Sequence, residues 1–321
     1  MLFLNQKDIK AAVTMEDTIN AIDEAYRLYD AENYTMPTRM QVADGENTLI
    51  LMPCMTNNSI ATKLVTSFPN NTNHPTLHGL VILNSNETGE IKAILDGSFI
   101  TGFRTGAIGG SAIRHLAKPN ASKLAIIGTG VQGLYQALAA CTVRPITDIY
   151  LYNRTPERAD SFIQEFRKWN NSPITLHKTE ELEEAVHNAE IIVTATTSYE
   201  PVLPNDASLL QDKLVIGIGS FQPTMREFPE ALYQVSDQIF VDSHDAVIES
   251  GDITTPLENN WIHEDSIQTM SSYLFQSNKI QPKAGRSIIF KSTGMALFDT
   301  VTANVIYQRA VEKGVGTRLD F

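Results

Sequence analysis

The hydrophobic positions of the chain change their spacing along its length. After Thr14, apolar residues recur at intervals of three and four, beginning with Ile19 and Ile22, which predicts an amphipathic helix with Thr14 as its N-cap. From residue 36 to residue 95, short runs rich in Val, Ile, Leu and Thr alternate with Asn, Gly and Pro clusters, which predicts an antiparallel sheet. From residue 123 onward, apolar strands such as KLAIIG and KLVIGIG alternate with helical stretches, as in a parallel, doubly wound sheet.

These patterns predict an α/β protein with two domains, which the length of 321 residues allows. A long final helix is predicted from Ser292, its candidate N-cap, to the stop signal Gly314. We expect that helix to pack on the N-terminal sheet, which makes the first domain discontinuous. The predicted domains are an α+β antiparallel-sheet domain, residues 1–117 and 293–321, and a Rossmann domain, residues 118–292.

Composition favours a small-molecule partner. Lys and Arg number 25 against 37 Asp and Glu, and the resulting net charge of -12 repels nucleic acid and anionic membrane surfaces. The N-terminus does not resemble a signal peptide, and nowhere do about 18 apolar residues run together, so no membrane span is predicted. The two cysteines, Cys54 and Cys141, lie outside any CxxC or Cys/His cluster, which favours the reducing cytoplasm.

No metal site is predicted. His74 and His78 have the i,i+4 spacing of helical ligands, but Pro75 between them makes a helix a poor interpretation.

The stretch AIIGTGVQG places Gly128, Gly130 and Gly133 between an apolar run and a helical pattern. Gly128 permits a sharp turn, Gly130 lets backbone N–H groups approach a pyrophosphate, and Gly133 allows the helix to pack closely. A GxGxxG pattern alone is a weak signal, because glycines also serve ordinary turns, but its place between strand and helix predicts a dinucleotide site. Thr129, Val131 and Gln132 complete the predicted contacts of this loop.

The next strand, DIYLY, leads into Asn153, Arg154 and Thr155. An NAD site usually places an acidic residue here against the ribose 2'-hydroxyl. Because the chain offers a guanidinium and no carboxylate, we predict NADP(H) over NAD(H). A solvated surface arginine is the plainer alternative.

Further cofactor contacts are expected at the carboxyl edge of the parallel sheet, where doubly wound folds bind ligands. The candidates are Thr196, Thr197, Ser198, Gly219, Ser220, Lys291 and Gly294. For several of them, a plain role as turn or cap residues is an equally good interpretation.

Three cations, Arg39, Lys63 and Arg104, interrupt apolar or neutral stretches. A buried cation must meet a protein carboxylate, reach solvent or bind an anionic ligand. From the residues alone, a salt-bridged strand residue is at least as good an interpretation as a ligand-binding one.

The segments ILDGSFITGFRTGAIGG, LAIIGTGVQG, YNRT and IIFKSTGMALFDTVTANVIYQRAVEKGVG follow one another in an order and spacing that resembles the ornithine cyclodeaminase and mu-crystallin family over essentially the whole chain. The resemblance implies a Rossmann domain and an antiparallel domain through which the protein forms a homodimer. It also implies that Arg39 and Arg104 clamp a substrate carboxylate and that Lys63 lies beside the reacting C–N bond. A bidentate arginine suits a carboxylate, and a lysine suits proton transfer.

Two positions depart from the family's cyclodeaminases. Ser220 stands where they carry an acidic residue, and Ile50 stands where they carry a glutamate before LMP. The resemblance therefore implies an enzyme that reduces a 2-imino acid, such as pyrroline-2-carboxylate, with NAD(P)H. The alternatives are ornithine cyclodeamination, an alanine or opine-type dehydrogenase, and a non-enzymatic, cofactor-loaded ligand binder like mu-crystallin.

Overall fold

The computed structural model describes residues 1–275 and 283–320 of the chain. Its strands are, in chain order, β1 (Leu2–Leu4), β2 (Tyr34–Thr35), β3 (Met40–Asp44), β4 (Asn47–Thr56), β5 (Ile60–Ser67), β6 (Leu77–Asn84), β7 (Ile91–Asp96), β8 (Lys123–Ile127), β9 (Asp148–Tyr152), β10 (Thr175–Lys178), β11 (Ile191–Thr194), β12 (Leu214–Gly217), β13 (Ser236–Val241), β14 (Ile267–Thr269), β15 (Ser287–Lys291) and β16 (Thr317–Arg318). Its helices are α1 (Gln6–Ala12), α2 (Met15–Asp30), α3 (Gly97–Leu116), α4 (Val131–Val143), α5 (Glu157–Trp169), α6 (Leu182–Asn188), α7 (Ala207–Leu210), α8 (Glu230–Val235), α9 (Ala246–Glu249), α10 (Gly251–Glu258), α11 (Met270–Phe275) and α12 (Ala296–Lys313), with a 3-10 turn at Glu264–Ser266.

The chain divides into two compact units, one formed by Met1–Arg104 with Met295–Phe321 and the other by Thr105–Gly294. The unit boundary therefore falls inside α3, thirteen residues before the boundary placed after residue 117 from the sequence. Residue 321, where the predicted first domain ends, lies outside the described residues.

Close packing of α3 against α4 explains why most of α3 belongs to the second unit. A Cβ on Gly106 would lie 2.6 Å from Cβ of Tyr135, and one on Gly109 would lie 1.7 Å from Oε1 of Gln136. The Gln136 side chain also donates to the carbonyl of Thr105 at 2.8 Å. Gly106, which is unfavourable inside a helix, is therefore required by the approach of the α4 backbone, whereas at Gly109 the end of the Gln136 side chain takes the space of a Cβ.

In the first unit, one sheet has the strand order β16-β1-β7-β6-β5-β4-β2, with β3 also paired to β4. All neighbours are antiparallel except β1 and β7. Buried and half-buried residues alternate along β5, and α12 contacts β4, β5 and β6. Because side chains alternate across a strand, one face of this sheet packs on α12 and the other carries the half-buried set.

The ends of two helices test the sequence interpretation of this unit. Thr14 caps α2 in a capping box with Asp17, as predicted. Gly314 ends α12 in the left-handed conformation at φ 64°, also as predicted. The predicted N-cap Ser292 is wrong, because α12 begins at Ala296 and the Ser292 hydroxyl donates to Asp242 at 2.6 Å.

The second unit is a parallel sheet with the strand order β10-β9-β8-β11-β12-β15-β13-β14, which confirms the predicted doubly wound architecture. From β8 the chain adds β9 and β10 on one side, and it then returns to place β11 and β12 on the other. The carboxyl ends of β8 and β11 thus flank a topological switch point, where open α/β sheets bind ligands. Among residues 1–275 and 283–320, no helix combines the length and apolar character needed to cross a bilayer.

Candidate active site

The loop between β8 and α4 has the geometry that a dinucleotide requires. Gly128 has φ 101°, and a Cβ there would lie 2.6 Å from the carbonyl oxygen of Ala195. A Cβ on Gly133 would lie 2.3 Å from the carbonyl oxygen of Gly128, which fixes the close approach of helix and loop. At Gly130 a Cβ would meet no atom within 4 Å, so the space beside this residue is open. The three glycines therefore have separate roles: a turn, an open approach and tight packing.

The N-terminus of α4 opens onto that space. Gly130 is its N-cap and supplies no side chain to cover the first turn. Val131 is 65% exposed, and Oε1 of Gln132 is a buried oxygen with no hydrogen-bond partner in the described part of the chain. Uncapped N–H groups at the start of a helix attract anions, so these residues fit the pyrophosphate of a dinucleotide.

The turn after β9 carries no carboxylate. The Asn153 amide donates to the Thr129 hydroxyl at 2.9 Å, and its oxygen accepts from the N–H of Thr155 at 2.9 Å. Asn153 thereby links the turn to the glycine loop, while Arg154 and Thr155 are exposed. A guanidinium thus stands beside the position where an NAD site usually has an acid.

The loops after β11 and β12 are held by one buried carboxylate that the sequence interpretation overlooked. Oε1 of Glu227 accepts from the N–H of Thr196 at 2.8 Å and from its hydroxyl at 2.9 Å. Oε2 accepts from the N–H groups of Gly219 and Ser220 at 2.8 and 3.2 Å. A Cβ on Gly219 would lie 1.9 Å from the Thr196 carbonyl oxygen, so the two loops also touch directly. Glu227 therefore fixes the carboxyl edge of the sheet.

Glu227 belongs to a buried ion cluster with Lys291 and Asp252. The Lys291 ammonium lies 3.0 Å from Oδ2 of Asp252 and 3.9 Å from Oε2 of Glu227. Oδ1 of Asp252 accepts from the N–H groups of Glu227 and Phe228 at 2.7 and 2.9 Å. Burial raises the pKa of Glu227 above its ordinary value, although the nearby Lys291 lowers it.

This arrangement corrects the expectation that the side chains of Lys291 and Ser220 contact a cofactor. Both side chains have zero exposure. The Ser220 hydroxyl donates to the Met225 carbonyl at 2.7 Å and lies 2.8 Å from the Ser250 hydroxyl. We therefore assign both residues to the framework of the second unit.

The remaining predicted contacts differ in their exposure. Thr197 is exposed, and the half-buried Ser198 donates its hydroxyl to the carbonyl of Glu200 at 2.6 Å. Gly294 is buried with φ 74°, and its N–H donates to Asp242 at 2.7 Å. Of these three, Thr197 offers the most surface to a ligand.

In the first unit, two of the three predicted cations meet on one carboxylate. Lys63 lies on the α12-facing side of β5, opposite Met52 and Val81, and its ammonium donates to Oδ2 of Asp299 at 2.7 Å. Nε of Arg104, from α3, donates to Oδ1 of the same Asp299 at 2.9 Å. Lys63 and Arg104 are 3% and 5% exposed. The protein-carboxylate alternative that the sequence left open is thus realised for both.

Burial and the charge of Asp299 act in opposite directions on the pKa of Lys63. Burial is the main effect on the pKa of Lys63, lowering it from 10.5 to about 8, and the charge of Asp299 counteracts this. The charges of Arg104 and Arg39 lower the pKa of Lys63 further. Arg39, which is half-buried just before β3, is therefore near enough to Lys63 to affect its charge. For Asp299, burial raises the pKa, but Arg104 and Lys63 outweigh it and hold the pKa below its ordinary value. Asp299 thus brings two buried cationic side chains together, and cations placed in this way suit an anionic ligand.

Three buried acids escaped the sequence interpretation: Asp299, Glu227 and Asp252. Asp299 had a usable signal, because it stands in the apolar run ALFDTV of the final helix, where a buried acid needs a cation. Glu227 and Asp252 lie in irregular sequence around two prolines, where no periodicity marks burial. In the described ranges no group of three or more His, Cys, Asp or Glu side chains is arranged to hold a metal.

Comparison with known proteins identifies relatives over the full length of the chain. The model of the ornithine cyclodeaminase/mu-crystallin family matches residues 1–314. A Delta(1)-pyrroline-2-carboxylate reductase of Bacillus cereus is 33% identical, covering 100% of both chains.

Two solved structures share this architecture. The Thermococcus litoralis Delta(1)-pyrroline-2-carboxylate reductase in complex with NADH and L-proline superposes with a TM-score of 0.92 at 29% identity, covering 99% of this chain and 100% of that one. An archaeal alanine dehydrogenase dimer with bound NAD superposes with a TM-score of 0.89 at 28% identity, covering 100% of this chain and 99% of that one.

Proposed function

Because the chain belongs to the ornithine cyclodeaminase/mu-crystallin family, we propose that it reduces a 2-imino acid with NAD(P)H, with Delta(1)-pyrroline-2-carboxylate as substrate and proline as product. The observation that carries the proposal is the cationic cluster of Lys63, Arg104 and Asp299, with the charge of Arg39 beside it. The names of the relatives support the choice of substrate.

The cofactor binds at the glycine loop of the second unit. Gly128, Gly130 and Gly133 form the cradle, and the uncapped start of α4 holds the pyrophosphate. When bound there, the reduced dinucleotide supplies a hydride for C2 of the imine.

The residues of the first unit bind and protonate the substrate. Arg39 and Arg104 hold its carboxylate, so that C2 keeps one orientation. Lys63 donates a proton from its ammonium to the imine nitrogen as C2 gains the hydride, which converts C=N to CH–NH. With a pKa of about 8, Lys63 is protonated in most molecules at neutral pH and yields its proton more readily than an ordinary lysine.

The absence of cyclodeaminase carboxylates supports reduction over ring closure. Ser220 is buried with its hydroxyl engaged by protein groups. Ile50 lies on β4 and is half-buried. Neither side chain can deprotonate a substrate ammonium.

A substrate panel tests the proposal. We expect nicotinamide absorbance to fall with Delta(1)-pyrroline-2-carboxylate and proline to accumulate in equal amount. Release of ammonia from ornithine without net NAD(P)H oxidation, or faster turnover of pyruvate with ammonia, would replace it with a cyclodeaminase or an alanine dehydrogenase. Tight dinucleotide binding without turnover of any compound would indicate a ligand binder.

For the cofactor, we propose a preference for NADP(H). The exposed Arg154, next to a turn without a carboxylate, supports pairing with a 2'-phosphate. Arg154→Ser should then weaken NADPH binding about tenfold and leave NADH binding unchanged. Equal affinities of the wild-type protein for NADPH and NADH would contradict this preference.

For the assembly, we propose a homodimer formed through the first unit's sheet. On the face opposite α12, Met40, Leu51, Leu64 and Leu80 form one cross-strand row over β3, β4, β5 and β6. Met40 and Leu80 are 59% and 38% exposed, and such a row is typical of a surface covered by a partner. Leu80→Glu should produce monomers in light scattering, and an unchanged mass would contradict the interface. A cytoplasmic location stays a prediction from the cysteine pattern.

A further inference from the structure

Asp299 is the one acid of the cationic cluster, and the family resemblance implies roles for Lys63, Arg104 and Arg39 but none for Asp299. It lies in the first turns of α12, is 1% exposed and contributes one oxygen to each of two cations. Oδ2 accepts from Lys63 at 2.7 Å and Oδ1 accepts from Nε of Arg104 at 2.9 Å. The three residues come from β5, α3 and α12, so the carboxylate ties together three separate elements.

We propose that Asp299 is a positioning residue of the imino-acid reduction: its two oxygens hold the ammonium of Lys63 and the guanidinium of Arg104 in register and keep Lys63 protonated at the pH where the enzyme works. The inference rests on the proposed function, because it assigns the proton donor to Lys63. Asp299 itself transfers no proton, since both of its oxygens are occupied by cations.

Geometry limits how Lys63 and Arg104 can be placed. A lysine side chain has four rotatable carbons and a point charge, so without an anchor its ammonium occupies several positions. The Asp299 carboxylate gives that ammonium one position and gives the Arg104 guanidinium a fixed edge. A single carboxylate shared by two cations also fixes the separation of the two charges.

Electrostatics gives Asp299 its second role. The charged groups that act most strongly on Lys63 are Asp299, Arg104 and Arg39, and only Asp299 favours the protonated amine. Burial and the two arginines all lower the pKa of Lys63, which stands at about 8 with Asp299 present. Cys54, on the neighbouring strand β4, is neutral through this range because burial raises its pKa to about 11. Loss of the Asp299 charge therefore moves the titration of Lys63 downward.

The pH profile of turnover tests this directly. In the wild type, turnover should fall as the pH rises through about 8, where Lys63 loses its proton. In Asp299→Asn the midpoint of that fall should move down by on the order of one to two pH units, as expected for loss of a charge-assisted hydrogen bond. Glu312→Gln, which removes one exposed carboxylate from the same helix, is the matched control and should keep the wild-type midpoint. An unchanged midpoint in Asp299→Asn would overturn the inference.

A conservative variant covers the case in which Asp299→Asn does not fold. Asp299→Glu keeps the charge and lengthens the arm by one carbon, so the midpoint should stay near that of the wild type. Turnover at the optimum should fall at least about tenfold, because the ammonium and guanidinium are displaced. Turnover and KM both equal to those of the wild type would show that placement by Asp299 does not matter.

Carbon-13 NMR of the cofactor-free, lysine-labelled protein separates failure of the inference from failure of the proposed function. The Lys63 signal, assigned by its loss in Lys63→Met, reads the fraction of unprotonated Lys63 at each pH without any turnover. We expect a midpoint near pH 8 for the wild type and a lower one for Asp299→Asn. Should the wild type fail to reduce the imine, the proposed function falls, while the NMR midpoints still decide whether Asp299 controls the charge of Lys63.

Discussion

The two units each bury an ion cluster of similar size and opposite character. In the first unit, Lys63 and Arg104 share the single carboxylate of Asp299. In the second, Lys291 stands between the carboxylates of Glu227 and Asp252. One cluster therefore joins two cations through an acid, and the other joins two acids through a cation.

The surroundings of the two clusters also differ. Glu227 and Asp252 accept hydrogen bonds from backbone N–H groups and from the Thr196 hydroxyl, so fixed dipoles of the protein stabilise the extra negative charge. In the cationic cluster, burial and then the charges of Arg104 and Arg39 lower the pKa of Lys63, and Asp299 counteracts them. Buried charge alone therefore does not mark a site: the acids of the second unit hold loops through backbone N–H groups, whereas Lys63 in the first unit has a pKa that suits proton transfer near neutral pH.

The largest expected effect is on catalysis at the cationic cluster. Lys63→Met should lower turnover by about 10²–10⁴-fold, because the proton donor is lost. The free energy of unfolding should change by less than about 2 kcal/mol, since Arg104 and Asp299 remain as a neutral pair and methionine fills the space. Steady-state kinetics and denaturant unfolding measure the two quantities. Turnover close to that of the wild type would remove Lys63 from the mechanism.

In the second unit, the corresponding lysine substitution, in the cluster of Lys291, Glu227 and Asp252, should change the stability of the protein. Lys291→Met leaves two buried carboxylates without their cation and should lower the free energy of unfolding by about 3–5 kcal/mol. Burial already raises the pKa of Glu227 above 4.5 in the folded protein. A carboxyl group with a raised folded-state pKa binds its proton more tightly in the folded protein than in the unfolded chain. The loss of stability caused by Lys291→Met should therefore shrink as the pH is lowered through the raised pKa of Glu227.

Denaturant unfolding at several pH values measures the Lys291 effect. A variant as stable as the wild type at neutral pH would show that Lys291 does not compensate these carboxylates. The two clusters would then not differ in their effect on stability.

Glu227→Gln sharpens the comparison by a smaller effect on ligand binding. An amide presents one acceptor and one donor where the loops need two acceptors, so the N–H groups of either Thr196 or Gly219 and Ser220 lose their partner. We expect dinucleotide affinity to fall about tenfold through displacement of these loops. Fluorescence titration with NADPH and NADH measures it, with the exposed Glu200→Gln as control. Affinity equal to that of the control would show that Glu227 does not contribute to dinucleotide binding.

Lys63 should also contribute a pH dependence to the stability of the protein. Its pKa is lowered from 10.5 to about 8, so between these values the unfolded chain holds a proton that the folded chain has released. Stability contributed by this group therefore rises with pH across that window and is constant below it. The difference in unfolding free energy between the wild type and Lys63→Met isolates the contribution from other titrations. A difference that does not change between pH 8 and 10.5 would contradict the lowered pKa.

Periodicity predicted the architecture because both sheets follow simple rules. Alternation along β5 and the glycine loop after β8 follow from side-chain direction and backbone space, and each is visible in a few consecutive residues. The site was predicted only in part. Lys63 and Arg104 were recognisable as cations in apolar surroundings, whereas their partner Asp299 is about 200 residues away in sequence, and pairing at that separation depends on the tertiary fold.

The expectation for Lys291 failed for the same reason. Its place before the final helix and at a strand end suggested a ligand contact, but Asp252, 39 positions earlier, and Glu227 enclose it. The predicted N-cap of α12 was wrong for a similar reason. Ser292 lies close to the helix in sequence, but its hydroxyl donates to Asp242 and does not cap the helix. Local signals identify residue types, and distant partners decide their roles.

The most direct measurement of the central claim is the contribution of the substrate's acid group to binding. In the presence of oxidised dinucleotide, calorimetry compares L-proline with L-prolinamide, which lacks the negative charge. We expect proline to bind at least about tenfold more tightly, and we expect this advantage to be lost in the Arg39→Ala/Arg104→Ala double variant but kept in Glu200→Gln. Equal binding of the two compounds to the wild-type protein would contradict it.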